Sequence, residues 1–234
     1  TVRTDVRLQF RNGFYYVTLF VVGVWALLLA QLPAVDLDVT WLLPAMLLGN
    51  LVITTFYFVG GLVLLEKGEG TLEAQVVTPL RVGEYLAAKV STLAGLALVE
   101  NVALVALLVW VLPVLREGGR LAPLPLVAGL LLGAALFTLA GFLAVARYRS
   151  VNEYLFPSML YMGLLMLPLF PYFGLGHGDW FYWHPLQAPL VLLRAAFEPV
   201  ALGQLAYGLL YGALWLALLA VASRRIFVRF VIEK

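Results

Sequence analysis

The sequence predicts an all-α membrane protein that crosses the bilayer several times, and three observations support this class. Of the 234 residues, 63% are hydrophobic and 12% are charged, whereas about a quarter of residues are charged in soluble domains. The mean hydropathy is +0.98. Apolar runs recur along the chain, and each is close to the roughly twenty residues that a helix needs to cross the hydrocarbon core.

The composition also excludes several kinds of function. The chain contains no cysteine, which rules out a disulfide framework, a thiol nucleophile and a thiolate metal site. Its net charge of +2 is too small to indicate a nucleic-acid partner. The partner that the composition does predict is the lipid bilayer itself.

Six apolar runs are predicted to be transmembrane helices, and together they form a single transmembrane domain, 1–234. Their even number places both termini on the same side of the membrane. The six runs cover residues 14–33, 41–65, 90–114, 123–146, 154–174 and 203–222.

The basic residues predict which side that is, because Lys and Arg are retained in the cytoplasm. With both termini inside, twelve of the fifteen basic residues lie in inner segments. The three on the outer side are Arg116, Arg120 and Arg194. Both termini and the segment 66–89 are therefore predicted to be cytoplasmic.

Two flanking segments are predicted to lie at the membrane surface. In residues 1–13 the apolar side chains Val2, Val6 and Phe10 recur at helical spacing beside a stripe of three arginines. This pattern is typical of an amphipathic interfacial helix, although an ordinary basic flank of a membrane helix remains open. In residues 175–202 an aromatic cluster precedes the apolar run QAPLVLLRAAF, which is too short to span and predicts short external helices that dip into or lie on the outer leaflet.

The polar segment 66–89 separates two of the most apolar runs, and its sequence predicts structure rather than a plain linker. Thr71 is a good N-cap, and Glu73 lies in the first turn, where the helix dipole favours a negative charge. Thr78-Pro79 then ends the short helix, because proline disfavours helical geometry at the preceding residue. A helix from Leu72 to Val77 would carry Leu72 and Val76 on one face. Such a projection suits contact with a cytoplasmic partner.

The run EKGEGTLEAQVVTPLRVGEYLAAK resembles the segment between the second and third membrane helices of ABC-2 type transporter permeases. The six runs, the amphipathic lead-in and the external helices resemble the same family. The opening RTDVRLQFRNGFYYV is similar in particular to the group of fluoroquinolone and drug export permeases.

This resemblance implies a half-transporter of the bacterial cytoplasmic (inner) membrane, paired with a second, identical chain as a homodimer. It also implies a cytoplasmic coupling helix that docks onto a separate ABC ATPase. Its coupling contacts would fall on Glu66, Gly70, Thr71, Leu72, Glu73, Val76, Thr78 and Pro79. The implied function is ATP-driven export of a small amphipathic or lipophilic compound, with ATP and Mg²⁺ bound by the partner ATPase.

No stretch matches GxxxxGK[ST], the loop that cradles nucleotide phosphates. We therefore expect this chain to be a transport subunit, to hydrolyse no ATP and to bind no cofactor. His177 and His184 lie near Asp179 and Glu198, but their spacing is not that of a metal site, and no metal is expected.

Glu100-Asn101 lies eleven residues beyond Lys89, about 16 Å along a helix and thus near the middle of the bilayer. A carboxyl group at that depth is costly and suggests a function. It would act as a structural clamp between helices, as part of a substrate path, or as a proton carrier. Asn50, Thr54 and Thr55 in the second run are its expected partners. Two alternative functions also rest on Glu100, a membrane-embedded enzyme and a proton-coupled secondary transporter.

Overall fold

The computed structural model describes residues 2–31, 39–70, 82–111, 119–175 and 179–228, and this part of the chain folds into helices without a β-strand. The α-helices are α1 (Val2–Arg11), α2 (Phe14–Ala30), α3 (Val39–Leu51), α4 (Phe58–Gly68), α5 (Val82–Val111), α6 (Pro123–Val145), α7 (Val151–Leu165), α8 (Leu169–Tyr172), α9 (Gln187–Phe197) and α10 (Leu202–Phe227). A π-helical segment, Val52–Tyr57, joins α3 to α4, and a 3₁₀ helix covers Asp179–Trp183.

Four helical segments in the described part are long and apolar enough to cross a membrane: Thr40–Gly68, Val82–Trp110, Pro123–Val145 and Leu202–Phe227. They correspond to the second, third, fourth and sixth predicted spans, so the all-helical, multi-pass class is confirmed. The first predicted span is the 17-residue helix α2, which is shorter than the roughly twenty residues that spanning requires.

The helix of the third predicted span already begins at Val82, so the last part of the polar segment 66–89 belongs to α5. The helical pattern that resumes at Pro79 and leads through Lys89 predicts this continuation. One predicted span was wrong. The predicted span 154–174 is not one helix, because α7 ends at Leu165 and the short α8 begins at Leu169. Pro168 lies between them, and proline disfavours helical geometry at the residue before it.

The predicted N-terminal amphipathic helix is confirmed as a helix, α1. Gly13 ends the turn that follows it with φ +79°, a left-handed conformation that favours glycine. Val6 and Phe10 on α1 are exposed, whereas Asp5 and Gln9 are buried against the rest of the protein. The helix therefore turns a polar stripe inward and leaves its apolar stripe on the outside.

Helix α6 lies at the centre of the fold and contacts α5, α9, α10, α4 and the π-helical segment. Helix α9 occupies the predicted external segment 175–202, and nine of its eleven residues are buried against α6, α10 and α3. By contrast, α10 buries few of its side chains. The described core is thus built around α6 and α9, with α10 at its edge.

Glycines on α6 and α10 allow this close packing. A Cβ atom added at Gly129 would lie 3.0 Å from the backbone nitrogen of Leu193, and one at Gly208 would lie 2.8 Å from Leu192 Cγ. Two pairs of glycines spaced four residues apart, Gly129 with Gly133 on α6 and Gly208 with Gly212 on α10, therefore allow close helix packing inside this chain. Gly141 on α6 packs directly against the backbone of the π-helical segment, since a Cβ atom there would lie 2.8 Å from the carbonyl oxygen of Phe56.

We expect Gly141→Ala to destabilise the protein, because the added methyl meets backbone of the π-helical segment rather than a movable side chain. Overpacking of this kind costs about 1–3 kcal/mol, which thermal unfolding of the purified protein in detergent would detect as a lower midpoint. Gly163→Ala is the matched control, because nothing lies within 4 Å of a Cβ atom at Gly163. Equal midpoints for the two variants would contradict the packing described for α6.

Candidate functional site

A buried charged cluster joins three helices next to the polar segment. Lys89 on α5 is 1% exposed, and its Nζ donates to Asp5 Oδ1 of α1 at 2.7 Å and to Glu66 Oε1 of α4. Tyr85 Oη donates to Glu66 Oε2 at 2.6 Å. We call Asp5, Glu66, Tyr85 and Lys89 the Lys89 cluster. It connects α1, α4 and α5 through side chains that are almost completely removed from solvent.

Helical spacing on each element brings these groups together. Tyr85 and Lys89 are four residues apart and share one face of α5, and the Lys89 ammonium also lies 5.3 Å from the Tyr85 ring centroid. On α1, Asp5 and Gln9 are four residues apart and form the inward stripe. Asp5 and Tyr85 were not predicted from the sequence. For Asp5, the spacing of four residues to Gln9, away from the apolar stripe of α1, indicates a second, polar face of the helix.

The charges of the Lys89 cluster make it costly to break. One ammonium group faces two carboxylates, and the Tyr85 hydroxyl supplies a further donor to Glu66. A buried charge needs a partner and hydrogen bonds to offset its desolvation, and removing one partner leaves the others uncompensated. The cluster therefore holds α1, α4 and α5 in one relative arrangement.

Two further contacts fasten the same end of the bundle. Lys67 Nζ donates to the carbonyl oxygens of Ala146 at 2.6 Å and Tyr148 at 2.8 Å, where a cation is favoured by the dipole of helix α6. Arg11 pairs with Glu69 at 3.2 Å, but both side chains are exposed, and exposed pairs contribute little. The end of α4 is therefore tied to α6 and to α1.

Of the predicted coupling residues, the structure describes Glu66 and Gly70. Glu66 was expected to contact a partner directly, but its side chain is 2% exposed and points into the Lys89 cluster. Gly70 follows α4 with φ +68°. The remaining residues lie outside the described part of the chain: Thr71, Leu72, Glu73, Val76, Thr78 and Pro79.

A second buried polar group surrounds Glu100 and contains the predicted residues Asn50, Thr54 and Asn101. Thr55, the other expected partner, instead donates to the carbonyl oxygen of Leu51 in its own helical segment. Asn50 Nδ2 donates to Glu100 Oε1 at 3.0 Å and to Asn101 Oδ1 at 3.1 Å. Thr54 Oγ1 donates to Glu100 Oε2 at 2.5 Å. Trp25 Nε1 of α2 donates to Asn50 Oδ1 at 3.2 Å, a contact that the sequence did not predict. We call Trp25, Asn50, Thr54, Glu100 and Asn101 the Glu100 network.

The residues that contact the Glu100 carboxylate come from α3 and the π-helical segment. Asn50 lies in the last turn of α3 and Thr54 lies four residues later, so both face the same side and reach one carboxylate. The π-helical segment Val52–Tyr57 contains Thr54, and such local widening of a helix often occurs at functional sites. The predicted meeting of the second and third spans at Glu100 is confirmed as a contact.

The chemistry of the Glu100 network is that of holding a carboxylate rather than of acid–base catalysis. Its partners among the described residues are an amide and a hydroxyl, which donate hydrogen bonds but do not exchange protons readily near neutral pH. Glu100 also lines a cavity of about 590 Å³ between α1, α2 and α5. The network can therefore fix helices, present an anion to that cavity, or do both.

His184 lies in the predicted outer segment, within the part of the chain that the structure describes. Its Nδ1 accepts from the backbone amide of Leu186 at 3.2 Å, and its Nε2 lies 3.2 Å from the carbonyl oxygen of Leu164. These contacts require the neutral ring with its proton on Nε2. Burial lowers the pKa of His184, although the Leu164 carbonyl opposes this shift. His177, the other histidine considered for a metal site, lies outside the described residues.

Long apolar helices with buried polar groups between them define a multi-pass membrane protein. The chain belongs to the fluoroquinolones export permease protein family, which matches residues 1–234. This confirms the resemblance to the drug-export group of ABC-2 type permeases.

Relatives in Mycobacterium tuberculosis are similar over the same length. The fluoroquinolones export permease proteins of strains CDC 1551 and H37Rv are each 36% identical to this chain over 236 aligned positions. Each alignment covers 100% of this chain and 95% of the relative. No solved structure gives a significant match to the chain.

We expect Lys89→Met to destabilise the protein strongly, because it leaves two buried carboxylates without their cation. Breaking a buried ion pair costs about 3–5 kcal/mol, and adding Glu66→Gln should recover part of that loss. Thermal unfolding of both variants in detergent measures the effect. Arg11→Met, which breaks the exposed Arg11–Glu69 pair, should change the midpoint little, and an equally small change for Lys89→Met would contradict the described cluster.

We expect acidification to weaken the packing of the outer segment through His184. Its pKa is lower in the folded protein than in the unfolded chain, where it is about 6.5, so the unfolded chain takes up the proton first. Stability is therefore complete above about pH 6.5 and falls as the pH drops below it. Melting curves at pH 7.5 and 5.5 should show a smaller acid-induced drop for His184→Gln, and an identical drop would contradict this assignment.

Proposed function

We propose that this chain is the membrane subunit of an ATP-driven ABC exporter that moves a small amphipathic or lipophilic compound out of the cytoplasm. The observation that carries the proposal is the family match over residues 1–234, together with relatives that are named as fluoroquinolones export permeases. A fluoroquinolone-like drug is accordingly the first compound to test.

In this proposal ATP is hydrolysed by a separate ABC ATPase, and the segment 66–79 is the part of this chain that contacts it. The ATPase and this permease would assemble as two copies each in a bacterial cytoplasmic membrane, with both termini of this chain inside. The ATP and Mg²⁺ would be bound by the partner, because the sequence lacks a phosphate-binding loop.

The geometry on either side of that segment supports a coupling role. Glu66, the first residue of the segment, lies on α4, and Tyr85 and Lys89 follow the segment on α5. The Lys89 cluster joins these two flanks to each other and to α1. A displacement of the segment by the ATPase would therefore move α1, α4 and α5 together. Glu66 would transmit this motion from within the protein, and Thr71 and Glu73 would make the contact.

The test is ATP-dependent accumulation of norfloxacin, a fluoroquinolone, in inside-out membrane vesicles that contain this chain and its cognate ATPase subunit. Accumulation should require ATP hydrolysis and should fall at least tenfold in Glu73→Lys, which reverses a charge in the contact segment. Glu198→Gln, on the predicted outer side, is the control and should transport normally.

Transport that proceeds without any ATPase subunit, or that a proton gradient drives in place of ATP, would contradict the proposal. Loss of transport in Glu73→Lys should be accompanied by loss of the ATPase from the purified complex. A variant that keeps both the complex and full transport would remove the segment 66–79 from the coupling role.

A further inference from the structure

A cavity of about 590 Å³ lies on one side of the bundle, between α1, α2 and α5. Its volume falls in the range of about 300–1,000 Å³ that is usual for sites that bind small molecules. The lining residues are Val6, Tyr15, Thr18, Leu19, Val22, Ser91, Thr92, Gly95, Leu96, Val99, Glu100 and Ala103.

The lining combines aliphatic walls with few polar groups. Valine and leucine side chains of α2 and α5 form the walls, while Tyr15, Thr18, Ser91 and Thr92 contribute hydroxyl groups. Glu100 is the one charged residue among those that line it. An apolar site with a small number of placed polar groups selects a ligand by its charge and orientation, and here that charge is negative.

The carboxylate of Glu100 lacks a cation in the described part of the chain. Its hydrogen-bond donors, Asn50 and Thr54, are neutral, whereas the buried carboxylates Asp5 and Glu66 share Lys89. A buried charge that is hydrogen-bonded but not paired remains costly. The hydroxyl of Thr18 on the same cavity wall is also buried and has no hydrogen-bond partner among the described residues. Both groups are therefore available to a ligand.

The cavity opens outward from the helix bundle. Leu19 and Val99, which line it from α2 and α5, are 71% and 69% exposed. Along α5 the lining runs from Ser91 to Ala103, a distance of about 18 Å at 1.5 Å per residue. In a membrane these exposed side chains would face lipid, so a compound dissolved in the bilayer could enter sideways.

We propose that this cavity binds an amphipathic organic cation, whose charged group pairs with Glu100 and whose apolar body lies between α2 and α5. Charge complementarity selects this occupant over a lipid acyl chain, which would leave Glu100 unpaired. The proposal rests on the proposed function to the extent that the bound cation is taken to be a transported compound. Binding itself can be measured on the full chain without an ATPase.

The test uses radiolabelled tetraphenylphosphonium, a permanently charged apolar cation, and tetraphenylborate, an anion of the same shape. Equilibrium binding to the purified full chain in detergent should detect the cation with at least tenfold higher affinity than the anion. Glu100→Gln should lower the affinity for the cation at least tenfold without lowering the affinity for the anion, because the carboxylate attracts the cation and repels the anion.

A second variant tests the place of binding without altering any charge. Gly95 lines the cavity, and a Cβ atom there would meet nothing within 4 Å. In Gly95→Leu the new side chain should therefore occupy part of the cavity, and the affinity for the cation should fall at least tenfold. Gly163→Leu, outside the cavity and equally free of contacts, should bind the cation normally. Melting curves of all variants establish that each is folded.

Equal affinity for the cation and the anion would show an apolar cleft filled by lipid or detergent and would overturn the proposal. Cation binding that survives both Glu100→Gln and Gly95→Leu would place the site elsewhere and would also overturn it. In either case ATP-driven drug accumulation in vesicles can still be intact, and the failure would then belong to the cavity alone. Loss of ATP-driven accumulation with intact cation binding would instead count against the proposed function.

Discussion

The burial of Lys89 between Asp5 and Glu66 is the constraint on which the end of the helix bundle next to the polar segment 66–89 depends. Its ammonium group satisfies carboxylates from α1 and α4, and the hydroxyl of Tyr85 completes the hydrogen bonding of Glu66. None of these side chains can leave its position without exposing a neighbour to an apolar surrounding. The N-terminal helix α1 is thereby attached to α4 and α5.

The Glu100 network acts on the same pair of long segments at a second level. Lys89 and Glu100 both lie on α5, eleven residues apart, or about 16 Å along the helix. Their partners lie on one continuous helical segment, Thr40–Gly68, with Glu66 near its end and the Asn50–Thr54 pair near its middle. Two polar contacts separated in this way restrain tilt as well as distance between the second and third predicted spans. Apolar packing alone would define this arrangement less sharply, because lipid competes with apolar side chains for the same surface.

Hydropathy predicted much of this architecture. The positions of four long helices follow from apolar length, and the meeting of Glu100 with Asn50 and Thr54 follows from similar depth in adjacent spans. The break between Leu165 and Leu169 was not predicted, because the apolar run continues through it, but Pro168 marks it. The helix that leads through Lys89 into the third span follows from the helical pattern after Pro79, but the sequence alone did not indicate that Lys89 is neutralised inside the protein.

The inward stripe of α1 was the other unpredicted feature. Val6, Phe10 and the arginines predict only the exposed side of the helix. The partner of Asp5 on the buried side is Lys89, which is 84 residues away in sequence. Long-range pairs of this kind need the fold before they can be recognised. Within the Glu100 network, Trp25 was missed for the same reason, since an indole near the end of an apolar helix is common without a specific partner.

The absence of cysteine from the sequence permits a direct measurement of the central claim, that the Lys89 cluster holds α1 against α5. Spin labels at Arg7→Cys and Ala87→Cys, both exposed positions, report the distance between these helices by pulsed electron paramagnetic resonance in lipid nanodiscs. The account predicts one narrow distance distribution, which broadens when Lys89→Met is added. A distribution of the same width with and without Lys89 would contradict it.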